Sequence, residues 1–167
     1  MLAKAARDHS RPRVALVGMG NALNGDDAAG VLLVRQLQGR VDRPGQVLVL
    51  DTGVAPENYT GPLRRFAPHV IVMVDAVQMG APPGEITWVD WAGVEGFSAS
   101  THTLPPSLFA DYVRQELGCP VGLLGIQAAQ VEFDRPVTPA VQQAVDELTR
   151  SLAHLLNTFD HTPPPAV

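Results

Sequence analysis

The stretch that most constrains this chain is Val14-Ala15-Leu16-Val17-Gly18-Met19-Gly20-Asn21-Ala22-Leu23-Asn24-Gly25-Asp26-Asp27-Ala28-Ala29-Gly30. Its apolar, β-branched opening reads as a strand buried on both faces, as in a parallel sheet. Gly18, Gly20 and Gly25 follow, so the backbone can turn where a Cβ would clash. Asp26 and Asp27 then stand just ahead of residues 31–37, a helix-like segment. Two carboxylates therefore sit where a first strand hands over to a first helix. Open α/β sheets bind ligands at that edge, outside the carboxyl ends of the strands. One of the two aspartates is equally explained as a helix cap, because Asp is a preferred N-cap and acids favour the positive helix end.

The remaining pattern alternates. A first helix over residues 27–38 stops at Gly39, a second strand covers 47–51, and a short helix begins near Pro62 and ends before Pro68. Residues 69–75 form the clearest strand, ending on Asp75. Residues 85–90 alternate polar and apolar, and the brief link from the third strand leaves no room for a crossover helix. An antiparallel edge pairing is therefore expected. Residues 91–101 read as a loop. A helix then opens at Leu104-Pro105-Pro106 and ends at Gly118, with Leu108, Phe109, Tyr112, Val113 and Leu117 on one face. Residues 121–126 form a fifth strand. Thr138 caps a last helix that begins at Pro139 and carries Val141, Ala144, Val145, Leu148, Leu152 and Leu155 at helical spacing. The expected fold is α/β: one domain over residues 13–156, a mostly parallel twisted five-stranded sheet with an antiparallel edge strand, and helices on both faces. Residues 1–12 and 157–167 are expected to be flexible tails.

Composition narrows the function. A chain of 167 residues fits one domain and buries roughly 70% of its unfolded surface. The net charge of −5 and the absence of a basic cluster argue against nucleic-acid binding. No apolar run reaches the ~18 residues of a membrane span. The basic N-terminus has no apolar core of a secretory signal. Cys119 is the only cysteine, so no intramolecular disulfide forms and a reducing compartment is expected. Its place between Gly118 and Pro120 suits a small buried thiol better than a nucleophile.

Asp27, Asp51 and Asp75 follow the first, second and third strands, on one edge if those strands are parallel. Gathered anions repel, and they persist together where a cation or a donor joins them. His102 lies just before a helix start, whose partial positive charge favours the neutral, metal-binding imidazole. A lone loop histidine is more often solvated, Asp75 alone can serve as a structural cap, and Asp51 alone suits a structural role better than a functional one. The case rests on the conjunction. Asp27, Asp75 and His102 offer two oxygens and one nitrogen, a set that suits nickel, zinc or manganese and leaves coordination positions open. His-Glu-x-x-His is absent, and Gly96-Phe97-Ser98-Ala99-Ser100 fails the nucleophile-elbow pattern at its last position. A dinucleotide site is the rival: Gly18-Met19-Gly20 follows a strand and Asp51 ends the next. Leu23 replaces its third glycine, however, and Asp26-Asp27 would repel a pyrophosphate.

Gly18-Met19-Gly20-Asn21-Ala22-Leu23-Asn24-Gly25-Asp26-Asp27 resembles the opening motif of the nickel–iron hydrogenase maturation endopeptidases. The resemblance continues through Ala55-Pro56-Glu57-Asn58, Val74-Asp75-Ala76, Pro83-Gly84-Glu85-Ile86, Thr101-His102-Thr103-Leu104-Pro105 and Leu124-Gly125-Ile126-Gln127. It spans residues 13–156 and leans toward the branch that processes formate-hydrogenlyase-type hydrogenases. It implies a cytoplasmic, aspartic-type endopeptidase that cuts a C-terminal extension from the hydrogenase large-subunit precursor once nickel is in place. Its nickel-contacting positions fall on Asp27, Asp75 and His102, with nickel carried by the substrate and no organic cofactor. Other branches place Glu at Asp27, which keeps the carboxylate, and many relatives place Gly at Ala28. The implied chemistry is polarisation of the scissile carbonyl or activation of a bound water. No separate nucleophile stands out; Asp51 joins Asp27 and Asp75 as a candidate catalytic group, its role that of general base. No nucleic-acid or membrane partner is expected, and a monomer suffices. The alternatives are a non-cleaving nickel-sensing chaperone of the precursor and a dinucleotide-binding module.

Overall fold

The computed structural model describes residues 12–90 and 105–158. In chain order the elements are β1 (Val14–Met19), a 3₁₀ turn (Gly25–Ala28), α1 (Ala29–Leu37), β2 (Val47–Gly53), a second 3₁₀ turn (Pro56–Tyr59) and α2 (Thr60–Phe66). They continue as β3 (Val70–Val77), β4 (Ile86–Asp90), α3 (Pro106–Leu117), β5 (Val121–Gln127) and α4 (Pro139–Thr158). The five strands form one sheet in the order β2-β1-β3-β5-β4. All neighbours are parallel except β4, which runs antiparallel along the outer edge of β5. The single-domain α/β fold expected from the sequence is the fold observed.

The two central strands explain themselves chemically. Every residue of β1 and β3 is buried, as continuous Val/Ile/Leu runs demand when both sheet faces are covered. On one face Val14, Leu16, Val70 and Val74 pack against Leu33 and Leu37 of α1 and Val141, Val145 and Leu152 of α4. On the other, Ala15, Val17, Ile71 and Met73 pack against Leu63 of α2 and Phe109 and Val113 of α3. At Gly30, α1 lies directly on the sheet: a Cβ there would stand 2.2 Å from the Val74 carbonyl oxygen and 2.4 Å from that of Met19.

Four details differ from the sequence expectation. β4 is the antiparallel edge, but its partner is β5 and not the sequence-adjacent β3. Residues 78–85 are long enough to step over the ~10 Å of two strand spacings, and Gly84 N–H and Gln127 N–H zip the crossing through Gln127 and Glu85 carbonyls. Helical backbone before β3 begins at Pro56, ahead of Pro62. Pro62 is third in α2, inside the first turn, where a missing N–H costs no intrahelical bond. In α3 the buried stripe is Pro106, Phe109, Ala110 and Val113, while Leu108 and Tyr112 are 54% and 43% exposed. The Tyr112 hydroxyl instead accepts a bond from Arg64 Nη2 at 2.7 Å. Leu155 of α4 is exposed and Leu156 is buried, four residues on from Leu152. α4 runs to Thr158, and Asn157 near its end bonds the Asp42 N–H and the Arg40 carbonyl.

Candidate functional site

Asp75 lies near the carboxyl end of β3 and is fully buried. In β3 the residues alternate faces, so Asp75 shares the α2/α3 side with Ile71, Met73 and Val77. Asp27 lies in the 3₁₀ turn between β1 and α1 and is also fully buried. Gly20 brings the two together. Its φ is +126°, and a Cβ there would stand 1.8 Å from the Asp27 carbonyl oxygen and 3.8 Å from Asp75 Oδ1. Any side chain at this position would push the turn off the end of β3. Asp27 Oδ2 accepts the Asn21 N–H at 2.9 Å, closing the turn on itself.

Asp51 follows a different course. In the parallel register Gly18 is opposite both Asp51 and Val74, so Asp51 shares the face of Val74 and opposes that of Asp75. Its Oδ2 pairs with Arg35 Nε of α1 at 2.7 Å, and its Oδ1 accepts the Gly53 N–H at 3.2 Å. This is a partly exposed ion pair near the carboxyl end of β2. His102 lies outside the described residues, and among the described residues no three His, Cys, Asp or Glu side chains converge as a metal-holding group. What the described chain supplies is two buried carboxylates, Asp27 and Asp75, on either side of Gly20, which packs against the Asp27 backbone carbonyl and lies near Asp75 Oδ1.

Neither member of the Asp26–Asp27 pair caps a helix as the sequence suggested. Asn24 and Ala28 hold the cap positions, without side-chain cap bonds. Asp26, also fully buried, reaches across to the segment between β5 and α4. Its Oδ2 accepts from Ala129 N–H (2.8 Å), Gln130 N–H (3.1 Å) and the Thr138 hydroxyl (3.0 Å), and its Oδ1 from Thr138 N–H (2.7 Å). Thr138 does precede α4, but its hydroxyl serves Asp26. The pattern Thr138-Pro139 marked the helix start; nothing in the sequence marked Asp26 as its acceptor. The same turn bears on the dinucleotide alternative. The Asp26 and Asp27 N–H groups are taken by the Gln130 and Asn24 carbonyls, so neither is offered to a phosphate.

Cys119 is buried, and desolvation pushes its thiol up to about 11. It sits just before β5, at the opposite end of that strand from Gln127 and the carboxyl edge. Burial at that end suits a packed thiol. Among the described residues no helix is long and apolar enough to cross a membrane.

The sequence profile of the hydrogenase maturation proteases matches residues 31–154. The chain is similar to the hydrogenase 3 maturation protease of Escherichia coli K12, with 36% identity over 138 residues, 82% of this chain and 86% of that one. It is similar in structure to a nickel–iron hydrogenase maturation protease from Thermococcus kodakarensis, with a TM-score of 0.81 and 30% identity over 92% of this chain and 98% of that one. A solution structure of an Escherichia coli endopeptidase gives a TM-score of 0.74 at 32% identity, over 93% and 99%. Sequence and fold agree over nearly the whole described chain, and the chain belongs to the hydrogenase maturation protease family, a family of endopeptidases.

Proposed function

We propose that this chain removes the C-terminal extension of a nickel–iron hydrogenase large-subunit precursor in the cytoplasm, after nickel has entered the precursor. Asp27, Asp75 and His102 take hold of that nickel as part of the substrate, so metal insertion licenses the cut. The observation that carries the reading is the place of Gly20, whose absent Cβ would meet the Asp27 backbone carbonyl on one side and Asp75 Oδ1 on the other, with both aspartates buried. Two buried carboxylates at one sheet edge are stabilised by a cation that reaches both. The connectivity of α3 adds support. Residues 118–120 alone join its end to the amino end of β5, so its start, Pro106, points toward the carboxyl edge. His102 precedes that start by four residues. Two oxygens and one nitrogen leave positions on nickel for the precursor's own ligands. Held there, the metal supplies Lewis acidity toward the scissile carbonyl or a bound water. Asp51, engaged with Arg35 on the other face, takes no proton in this scheme.

The test is to incubate the purified protein with nickel-free and nickel-loaded precursor and weigh the products intact. Shortening of the loaded precursor alone is expected. Equal shortening of both ends the checkpoint idea. Tight binding of the loaded precursor without shortening would replace the protease with a nickel-sensing chaperone.

A further inference from the structure

We propose that Asp26 is a positioning residue: it clamps residues 129–138 onto the turn that carries Asp27 and thereby fixes the aim of the Asp27 carboxylate. The kinetic consequence rests on the proposed function; the geometric claim does not.

The argument begins with cost. A carboxylate with no solvent exposure is expensive unless donors replace its water. Asp26 has four such donors, three of them backbone N–H groups, and all come from residues 129–138. The clamp is reciprocal, because Asp26 N–H donates to the Gln130 carbonyl. Further contacts extend it: Asp134 N–H donates to the Leu23 carbonyl, and Asn24 bridges Arg135 in a parallel pairing. Gly25 is pressed close, its absent Cβ 3.0 Å from the Gln130 carbonyl oxygen.

The clamped segments follow β1 and β5, which are not neighbours in the sheet. β3 lies between them and carries Asp75. The clamp therefore arches over the end of the strand that bears the second carboxylate. Asp27 is held on two sides, by Gly20 beneath its carbonyl and by the Asp26 clamp one residue before it. A fully satisfied polar network of this kind specifies one geometry where an apolar contact would tolerate several. The Asn21 N–H, bonded to Asp27 Oδ2, is a built-in reporter of that aim.

The experiment uses the full-length, ¹⁵N-labelled chain with Thr138→Val, which deletes one donor, and Thr138→Ser, which keeps it. In Thr138→Val the β1 and β3 amides keep their wild-type shifts, whereas the Asn21 amide moves and exchanges about tenfold faster. With nickel-loaded precursor, kcat per folded molecule falls about tenfold while KM stays within about twofold. Thr138→Ser restores both. A folded Thr138→Val with an unmoved Asn21 amide and wild-type kcat overturns the proposal. If the variant does not fold, wild-type hydrogen exchange decides. Asn21, Ala129, Gln130 and Thr138 must open as one unit, and independent opening of Asn21 overturns the clamp. A wild-type protein that cuts no precursor would sink the protease reading and leave the amide measurements to judge Asp26.

Discussion

Asp51 and Asp75 lie near the carboxyl ends of β2 and β3, the two strands that flank β1, yet their surroundings are opposite. Asp51 emerges on the α1 face, partly exposed, and neutralises the Arg35 guanidinium across water-accessible surface. Asp75 emerges on the α2/α3 face, fully buried, with Gly20 between it and the backbone of the equally buried Asp27. The difference is one of strand parity. Gly18 is opposite Asp51 on one side and Val74 on the other, so shifting attention by one residue along β3 reverses the face. A carboxylate at a strand's end is therefore not yet a functional group; the face it takes decides whether it meets solvent or is buried.

The contrast can be broken most decisively at the buried pair. Asp75→Asn or Asp27→Asn keeps the volume and removes a charge facing the substrate metal; cleavage of loaded precursor is expected to fall at least about a hundredfold in a discontinuous mass assay. Near-normal turnover in either would detach this edge from the chemistry. Next in size is Asp26→Ala, which strands four donors. Urea unfolding should show a loss of about 3–5 kcal/mol, and a loss below about 1 kcal/mol would mean water replaces the carboxylate freely. At the other end of β5, Cys119 should resist alkylation in the folded chain at neutral pH and react on unfolding. Because its thiol is pushed up to about 11 from 9.0, its contribution to stability is complete below pH 9 and declines as pH rises toward 11. Rapid native labelling at pH 7 would contradict that burial. Asp51→Asn is the smallest case: within about 1 kcal/mol of wild type by thermal melting, as for exposed ion pairs, and within about twofold in turnover. A large loss of activity there would erase the distinction between the two faces.

The sequence made some of this legible and hid the rest for physical reasons. Continuous apolar runs at 14–17 and 70–74 announced two-sided burial, and the strand-to-helix handover at Asp26–Asp27 announced the edge. The partner of β4 was hidden, because pairing is set by which strand arrives beside it and not by its own pattern. The buried stripe of α3 differs from its apolar pattern because Leu108 and Tyr112 are one position off a stripe that Pro106 and Ala110 complete. In the sequence Asp26 reads as a possible cap, because its real partners lie more than a hundred residues away, three of them backbone groups without a sequence signature. The parity that separates Asp51 from Asp75 likewise exists only in the register.

The insertion of β5 between β3 and β4 has a consequence for how the protein is made. As the chain emerges from the ribosome, β4 exists well before the strand it pairs with, and the rim of β3 stays unpaired through roughly another three dozen residues. Until β5 slots in, that rim is a template for unwanted strand addition. Chains halted before residue 121 should therefore be the aggregation-prone nascent species, while chains released after residue 127 can already close the sheet.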